Sequence, residues 1–506
     1  MELQRVMEGV PFTRPVPATL LEAEVRGLSY DSRKVESGYL FFAFAGAKTD
    51  GAQFANAALQ KGALGVVSDR PKPGGFAGAW LQVAHGREAL AVAARNFYRR
   101  PDEHVALTGV TGTNGKTTST LLIDSVLRTA GNVTALIGTI EYHLGGRVLP
   151  AVNTTPESLD LFRMFHELQE MGGTHATLEV SSHALDLGRI YAMQFHTAGF
   201  TNLTRDHLDY HQTMEAYFAA KQLLFTPRSG SPPRFAVLNA DDEAARRLEI
   251  RPETAVFWYG IEQAPPSRPG HKTEAWARAE NIRASFDGLQ FEVVFGEKRF
   301  SIESTLVGQI NVYNILLACA AGLTYGLAEK VIQKGIKELQ RVPGRFERVE
   351  EGQPFMVVVD YAHTDDALRN VISAARGMKP KRVITLFGCG GDRDRSKRPL
   401  MGMAAGELSD YVVLTSDNPR SEDPLSIMND AMVGLRRFDT PHAVEPDRER
   451  AIRKAIETAG PGDVVILAGK GHETYQVLRD GPIPFDDREV ARRILRSFGY
   501  GRSQGR

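Results

Sequence analysis

The stretch Val105-Ala106-Leu107-Thr108-Gly109-Val110-Thr111-Gly112-Thr113-Asn114-Gly115-Lys116-Thr117-Thr118 decides the fold. Residues 105–110 form an apolar run of strand length, and 117–129 reads as a helix. A strand that passes through a glycine loop into a helix gathers backbone N–H groups and the positive helix end at one spot, which is an anion site. Gly112 and Gly115 allow close backbone approach, Lys116 supplies a cation for β- and γ-phosphates, and the Thr117 hydroxyl can reach Mg²⁺. Thr113, Asn114 and Thr118 complete a loop suited to ATP. The G-x-x-x-x-G-K-[ST] spacing is not met, because Val110 holds the first glycine's position and Gly109 lies one residue early. A glycine-rich turn with a surface lysine is the bland alternative.

Outward from the loop the strand-then-helix order repeats. Residues 177–180, 199–202 and 236–239 are further apolar strands, the last followed by a helix over 243–248, and such alternation predicts a parallel sheet under covering helices. A Pro/Ser/Gly stretch at 263–272 interrupts it, 282–303 has the alternation of antiparallel strands, and a helix over 312–325 closes the unit. Toward the N-terminus, 23–69 mixes apolar runs with an amphipathic segment at 54–61 and predicts a small α/β domain ending near Pro101. After Val342-Pro343-Gly344, strands at 356–360, 383–387, 411–414 and 464–468 predict a doubly wound, Rossmann-like domain. The expected fold is α/β in three domains, 1–101, 102–341 and 342–506, with a P-loop-type ATPase sheet in the centre and a loose tail at 502–506. A length of 506 residues accommodates this.

Lys plus Arg and Asp plus Glu both number 61, so no whole-chain attraction to nucleic acid or acidic membranes follows. Cys319 and Cys389, far apart and without metal-type spacing, fit a reducing compartment. Residues 1–17 lack a basic start followed by an apolar run, and no stretch approaches the ~20 apolar residues of a membrane span. A cytoplasmic monomer, neither secreted nor membrane-spanning, is the expectation.

Further motifs are Ser29-Tyr30-Asp31-Ser32-Arg33, Asn153-Thr154-Thr155-Pro156-Glu157, Leu178-Glu179-Val180-Ser181-Ser182-His183 and Asn202-Leu203-Thr204-Arg205-Asp206-His207. Asp360-Tyr361-Ala362-His363, Gly388-Cys389-Gly390-Gly391-Asp392-Arg393-Asp394, Asp417-Asn418-Pro419-Arg420 and Gly469-Lys470-Gly471-His472-Glu473 follow. With the loop, this set resembles the Mur ligases through all three domains. The folylpolyglutamate synthases resemble it in the loop alone, and the N-terminal Ser-Tyr-Asp-Ser-Arg segment argues against them.

The resemblance implies an ATP-dependent ligase of cell-wall synthesis that joins a diamino acid to UDP-N-acetylmuramoyl-L-alanyl-D-glutamate through an acyl phosphate. Lys116, Glu179, His207 and Lys221 would be catalytic, with Mg²⁺ on Thr117, Glu179, His207 and a Lys221 carbamylated by CO₂. Unaided, Lys221 reads as a solvated helix lysine and His207 as a structural loop histidine. Asn311, Arg345 and Asp360 would hold adenine, phosphates and ribose. Tyr30 and Ser32 would take UDP, while Asn153, Thr154, Thr155, Ser181 and Arg189 would take the dipeptide. Leu187 departs from the polar residue some members place toward that substrate, and Asp365 from a common proline, a change expected to affect only a turn.

Asp417-Asn418-Pro419-Arg420 matches the pattern associated with meso-diaminopimelate, whose second carboxylate suits a guanidinium. Arg420 and Arg393 form the expected clamp, with Asn418, Gly469 and Glu473 on the amino and carboxyl groups. L-Lysine and L-ornithine stay open as the amine donor. A phosphate-transferring P-loop kinase or NTPase is the alternative of another class, although it leaves the UDP-type domain and the Asp-Asn-Pro-Arg loop without work.

Overall fold

The computed structural model describes residues 1–46, 49–268, 270–271 and 274–501. Residues 502–506, the expected loose tail, lie outside them, as do three positions of the 263–272 stretch and its edge. Strands β1 (Gly27–Ser29), β2 (Tyr39–Ala43), β3 (Gly65–Ser68) and β4 (Trp80–Gln82) make a 4-stranded parallel sheet in that order. Nearly every residue of β2 and β3 is buried, as a parallel sheet covered by helices requires. Helix α1 (Gly86–Phe97) turns Ala89, Leu90, Ala93 and Ala94 inward, into a core continuous with that of the central unit.

The central 11-stranded sheet begins with β5 (Ala106–Thr111), which feeds α2 (Lys116–Thr129). It continues through β6 (Thr134–Ile137), β7 (Glu141–Leu144), β8 (Arg147–Pro150) and β9 (His175–Glu179), then α3 (Ser182–Asp186), β10 (Phe195–Phe200) and α4 (Met214–Gln222). Strands β11 (Phe235–Asn239), β12 (Ala255–Gly260), β13 (Glu274–Ser285), β14 (Gly288–Phe295) and β15 (Lys298–Ser304) precede α5 (Gln309–Thr324). The spatial order is β15-β14-β13-β12-β11-β10-β5-β9-β6-β7-β8. From β13 to β6 the strands run parallel, and antiparallel pairs β14-β15 and β7-β8 extend the two edges. The antiparallel decoration expected at 282–303 is therefore present on one edge.

The third unit is a 6-stranded sheet, made of β16 (Glu347–Val349), β17 (Met356–Asp360), β18 (Val383–Phe387), β19 (Tyr411–Thr415), β20 (His442–Glu445) and β21 (Val464–Ala468) in the order β16-β17-β21-β18-β19-β20. Only β16 is antiparallel to its neighbour. Helices α6 (Asp365–Gly377) and α7 (Lys397–Leu408) follow β17 and β18, so both begin at the carboxyl edge of the sheet. Among the described residues no helix is long and apolar enough to cross a membrane.

Candidate active site

In the central sheet β5 lies between β9 and β10, with Val110 level with Glu179 and Thr111 with Phe200. The chain leaves β5 toward β6 on one side and leaves the neighbouring β9 toward β10 on the other, which opens a crevice at the carboxyl ends. Gly112 (φ +141°) and Gly115 (φ +89°) shape the loop, and a Cβ on either would collide with Thr201 or Asn314. Thr113 N donates to Asn202 O at 2.8 Å and Asn114 N to Asn202 Oδ1 at 3.0 Å, so the next strand's exit fixes the loop. Lys116 Nζ folds back onto Gly112 O (3.0 Å) and Thr113 O (2.8 Å). Burial lowers its pKa, against the opposing pull of Glu179 and Asp206.

Glu179, buried at the end of β9, accepts from Thr117 Oγ1 and Thr139 Oγ1, both at 3.0 Å, and from Thr139 N at 2.8 Å. Thr118 is buried behind the loop. His207 has a left-handed backbone (φ 54°) and faces Asp206 at 3.5 Å and the His183 ring at 4.9 Å. Desolvation in the cleft outweighs Asp206 and keeps its imidazole neutral. Burial alone would raise the Asp206 carboxyl, but the Lys397 charge and the neighbouring histidines, with the His207 N–H it accepts at 2.9 Å, bring it down.

Lys221 is not solvated. It lies on α4 at 1% exposure, donates to Gly112 O at 2.7 Å and sits 4.3 Å above the Tyr217 ring. Burial, with the Lys116 charge added, pushes its pKa well below the ammonium range.

Across the crevice stands the third unit, and a cavity of about 250 Å³ runs between them. Arg345 reaches Thr117 Oγ1 at 3.4 Å and stacks 4.5 Å above Tyr361. Asn311 lines the same cavity, bonded to Val307 O (2.7 Å) and Asn314 (2.9 Å). Asp360 accepts from Phe346 N (2.7 Å) and Ala362 N (2.8 Å), and burial raises its pKa against the Arg345 charge. The expectation that Asp365 affects only a turn is corrected: its carboxylate pairs with Arg205 of the central unit at 2.8 Å. A proline cannot make that bond.

Behind Asp360, Gly469 N donates to its carbonyl at 3.0 Å, and a Cβ on Gly469 would lie 2.9 Å from Asp417 Oδ2, so Asp417 stands behind the cavity wall. Arg420 (φ 53°) donates to Gly391 O at 2.7 Å. A Cβ on Gly390 would lie 3.0 Å from Arg420 Nη1 and 3.8 Å from Arg393 Cγ, so both arginines border one glycine, with the Arg393 guanidinium donating to Asp392 O at 3.2 Å. Pro419 packs its carbonyl against Gly391. Asn418 Nδ2 donates to Glu473 at 3.0 Å, and buried Lys470 bonds both. Asp417 is buried, and its Oδ1 accepts no hydrogen bond, with Lys470 Nζ 3.9 Å away.

On the opposite flank Tyr30 donates to Asp160 at 2.6 Å and stacks on Phe44, with Ser32 in the adjoining 3-10 turn. Thr155 Oγ1 donates to Glu179 O (2.8 Å), Thr154 touches Thr139 (3.1 Å) and Ser181 caps α3. Arg189 bonds Glu157 (3.1 Å) and Thr155 O (2.8 Å), Asn153 is exposed, and Leu187 ends α3 half-buried.

Models of the Mur ligase family, catalytic domain, the Mur ligase middle domain and the Mur ligase, glutamate ligase domain match residues 24–98, 110–322 and 344–471. The chain belongs to the Mur ligase family. A Solibacter usitatus relative of this Mur ligase, described as UDP-N-acetylmuramoyl-L-alanyl-D-glutamate--2,6-diaminopimelate ligase, is 63% identical over 504 residues, covering 100% of both chains. A Geobacillus thermodenitrificans protein of the same description is 45% identical over 94% of this chain and 95% of its own. A solved structure so described superposes with a TM-score of 0.68 at 32% identity, covering 99% of each chain.

Several groups of the Mur ligase site escaped sequence reasoning. Asp206, His363 and Lys470 lie inside quoted motifs and were legible as polar residues there. Thr139 and Tyr217 carried no such signal, since a lone threonine after a strand and a helix tyrosine look like any other.

Proposed function

We propose that this Mur ligase joins meso-2,6-diaminopimelate to the D-glutamyl carboxylate of UDP-N-acetylmuramoyl-L-alanyl-D-glutamate at the expense of ATP, in peptidoglycan synthesis. The placing of Arg393 and Arg420 beside Gly390, with β21 between that strand end and the cavity-lining β17, carries this reading. Two guanidiniums suit the second carboxylate of diaminopimelate, which lysine and ornithine lack. Asn418, Gly469, Glu473 and the Asp417 oxygen that accepts no hydrogen bond are then available to its amino and carboxyl groups.

A carboxylate does not yield an amide at neutral pH because oxide would have to leave. The γ-phosphoryl group therefore moves from the bridging oxygen of ADP to the glutamyl oxygen. The amine attacks the acyl carbon, phosphate departs, and the new nitrogen gives up a proton. Lys116 and Arg345 grip the phosphoryl oxygens while anion approaches anion. The hard oxygens of Thr117 and Glu179 fit Mg²⁺, as does the neutral His207, and the metal when bound would neutralise phosphate charge. Among the described residues no group of three His, Cys, Asp or Glu gathers around one point. A carbamate on Lys221 would add the missing anionic oxygens.

Asn311 serves adenine and Asp360 the ribose, while Tyr30 and Ser32 take UDP. Asn153, Thr154, Thr155, Ser181 and Arg189 take the dipeptide. The work divides among 1–101, 102–341 and 342–506 in a cytoplasmic monomer, a setting that suits the two buried free thiols. Phosphate release and amide product are to be measured with diaminopimelate, L-lysine and L-ornithine in turn. Preference for either of the last two removes the clamp, and a phosphoester product removes the ligase.

A further inference from the structure

Lys397 opens helix α7 at 9% exposure and makes neither a hydrogen bond nor an ion pair. Its neighbour Arg398, fully buried, is by contrast matched to Glu422 at 2.8 Å and Asp430 at 3.0 Å. An ammonium on a side chain largely removed from water and without an anion beside it is poorly placed, and the positive end of a helix makes it more so. Such a group persists where an anion arrives.

The place fits the anion of the reaction. Lys397 closes the loop that carries Arg393, and α7 packs against α6, whose first turn follows His363. Both helices start at the carboxyl edge of the sheet, so two positive ends and one ammonium share a corner. The Lys397 charge is felt by His363 and Asp206, which stand 3.9 Å apart on the cavity wall. Lys116 approaches from the central unit, and Lys397 comes with the third.

We propose that Lys397 is a further catalytic residue, which grips the glutamyl carboxylate during phosphoryl transfer and the acyl phosphate that results. This rests on the ligase reading above. The test is acyl hydroxamate formation in the presence of ATP, UDP-substrate and hydroxylamine, alongside ATP and UDP-substrate Kd values and Tm, for wild type, Lys397→Met and Lys397→Arg. Methionine keeps the length and removes the charge.

The expected result is a roughly 100-fold loss of hydroxamate in Lys397→Met, Kd values within about threefold of wild type, and a Tm that holds or rises as the unmatched charge goes. Lys397→Arg recovers part of the rate. Hydroxamate within about threefold of wild type in Lys397→Met overturns the proposal, and so does a loss accompanied by falls in Tm and both affinities, or an arginine variant no better than methionine. Wild type run in parallel separates the two claims, because absence of hydroxamate there sinks the ligase reading itself.

Discussion

Arg205 Nη2 and Asp365 Oδ1 meet at 2.8 Å across the seam between the central and third units. Beside them Asp366 accepts from Asn114 Nδ2 of the phosphate loop at 2.7 Å and from Thr204 at 3.1 Å. The loop of Gly112 to Thr117 is thus tied to the first turn of α6. With side-chain exposures of 28% and 22%, the Arg205–Asp365 pair is worth only about 1 kcal/mol. Asp365→Ala should lower kcat/KM for ATP about fivefold at low salt. The ratio to wild type should shrink toward one by about 0.5 M salt, where screening removes the pair from both. A ratio that ignores salt shows that the pair does not hold the seam.

Glu179 spends both oxygens on Thr117 and Thr139. Glutamine keeps the shape and loses the charge that a magnesium ion needs. Glu179→Gln should lower kcat by roughly 100- to 1,000-fold and raise the Mg²⁺ concentration for half-maximal rate, while Tm stays near wild type. Undiminished turnover removes Glu179 from the machinery.

How much was legible follows from what each segment buries. Strands β5, β17, β18 and β21 are covered on both faces, so their apolar runs stood out and their bounds moved by a residue at most. β8 is an edge strand, Arg147 to Pro150, largely exposed and closed by a proline, and it left no periodic trace. The helix Ser158–Glu170, by contrast, carries the helical period, burying Leu161, Phe162, Phe165 and Leu168 on one face, and was readable although no motif marks it. Chemistry at strand ends, Glu179 and Asp360, was readable because a motif marked it. The burial of Lys221 was not, since the 9 residues of its helix cannot say that Gly112, more than a hundred residues away, closes over it.

His196 stacks on Tyr325 with centroids 4.2 Å apart and planes at 12°. Burial, then Arg234 and His175, brings its pKa from 6.5 to about 4. The native state therefore prefers the neutral ring, and the unfolded chain takes up the proton first. Its contribution is complete above about pH 6.5 and is lost as pH falls toward 4. His196→Phe keeps an aromatic stack without the proton. Urea midpoints at pH 7 and pH 5 should differ less in the variant than in wild type; equal falls would mean that other groups set the acid limit.

Lys221 shares the Gly112 carbonyl with Lys116, the two ammoniums at 2.7 and 3.0 Å. Two cations on one neutral acceptor, one of them 1% exposed, is an arrangement that favours the uncharged amine. An uncharged amine is the form that adds CO₂, and the carbamate would turn a repelling pair into an attracting one while offering oxygens beside His207. Lys221→Ala should lose most activity and regain part of it with added formate or acetate, small carboxylates that enter the vacated space. Lys221→Arg, charged and unable to form the carbamate, should stay inactive under the same conditions. Activity of the alanine variant equal to wild type, or rescue of both variants alike, would show that the lysine works as a cation or not at all.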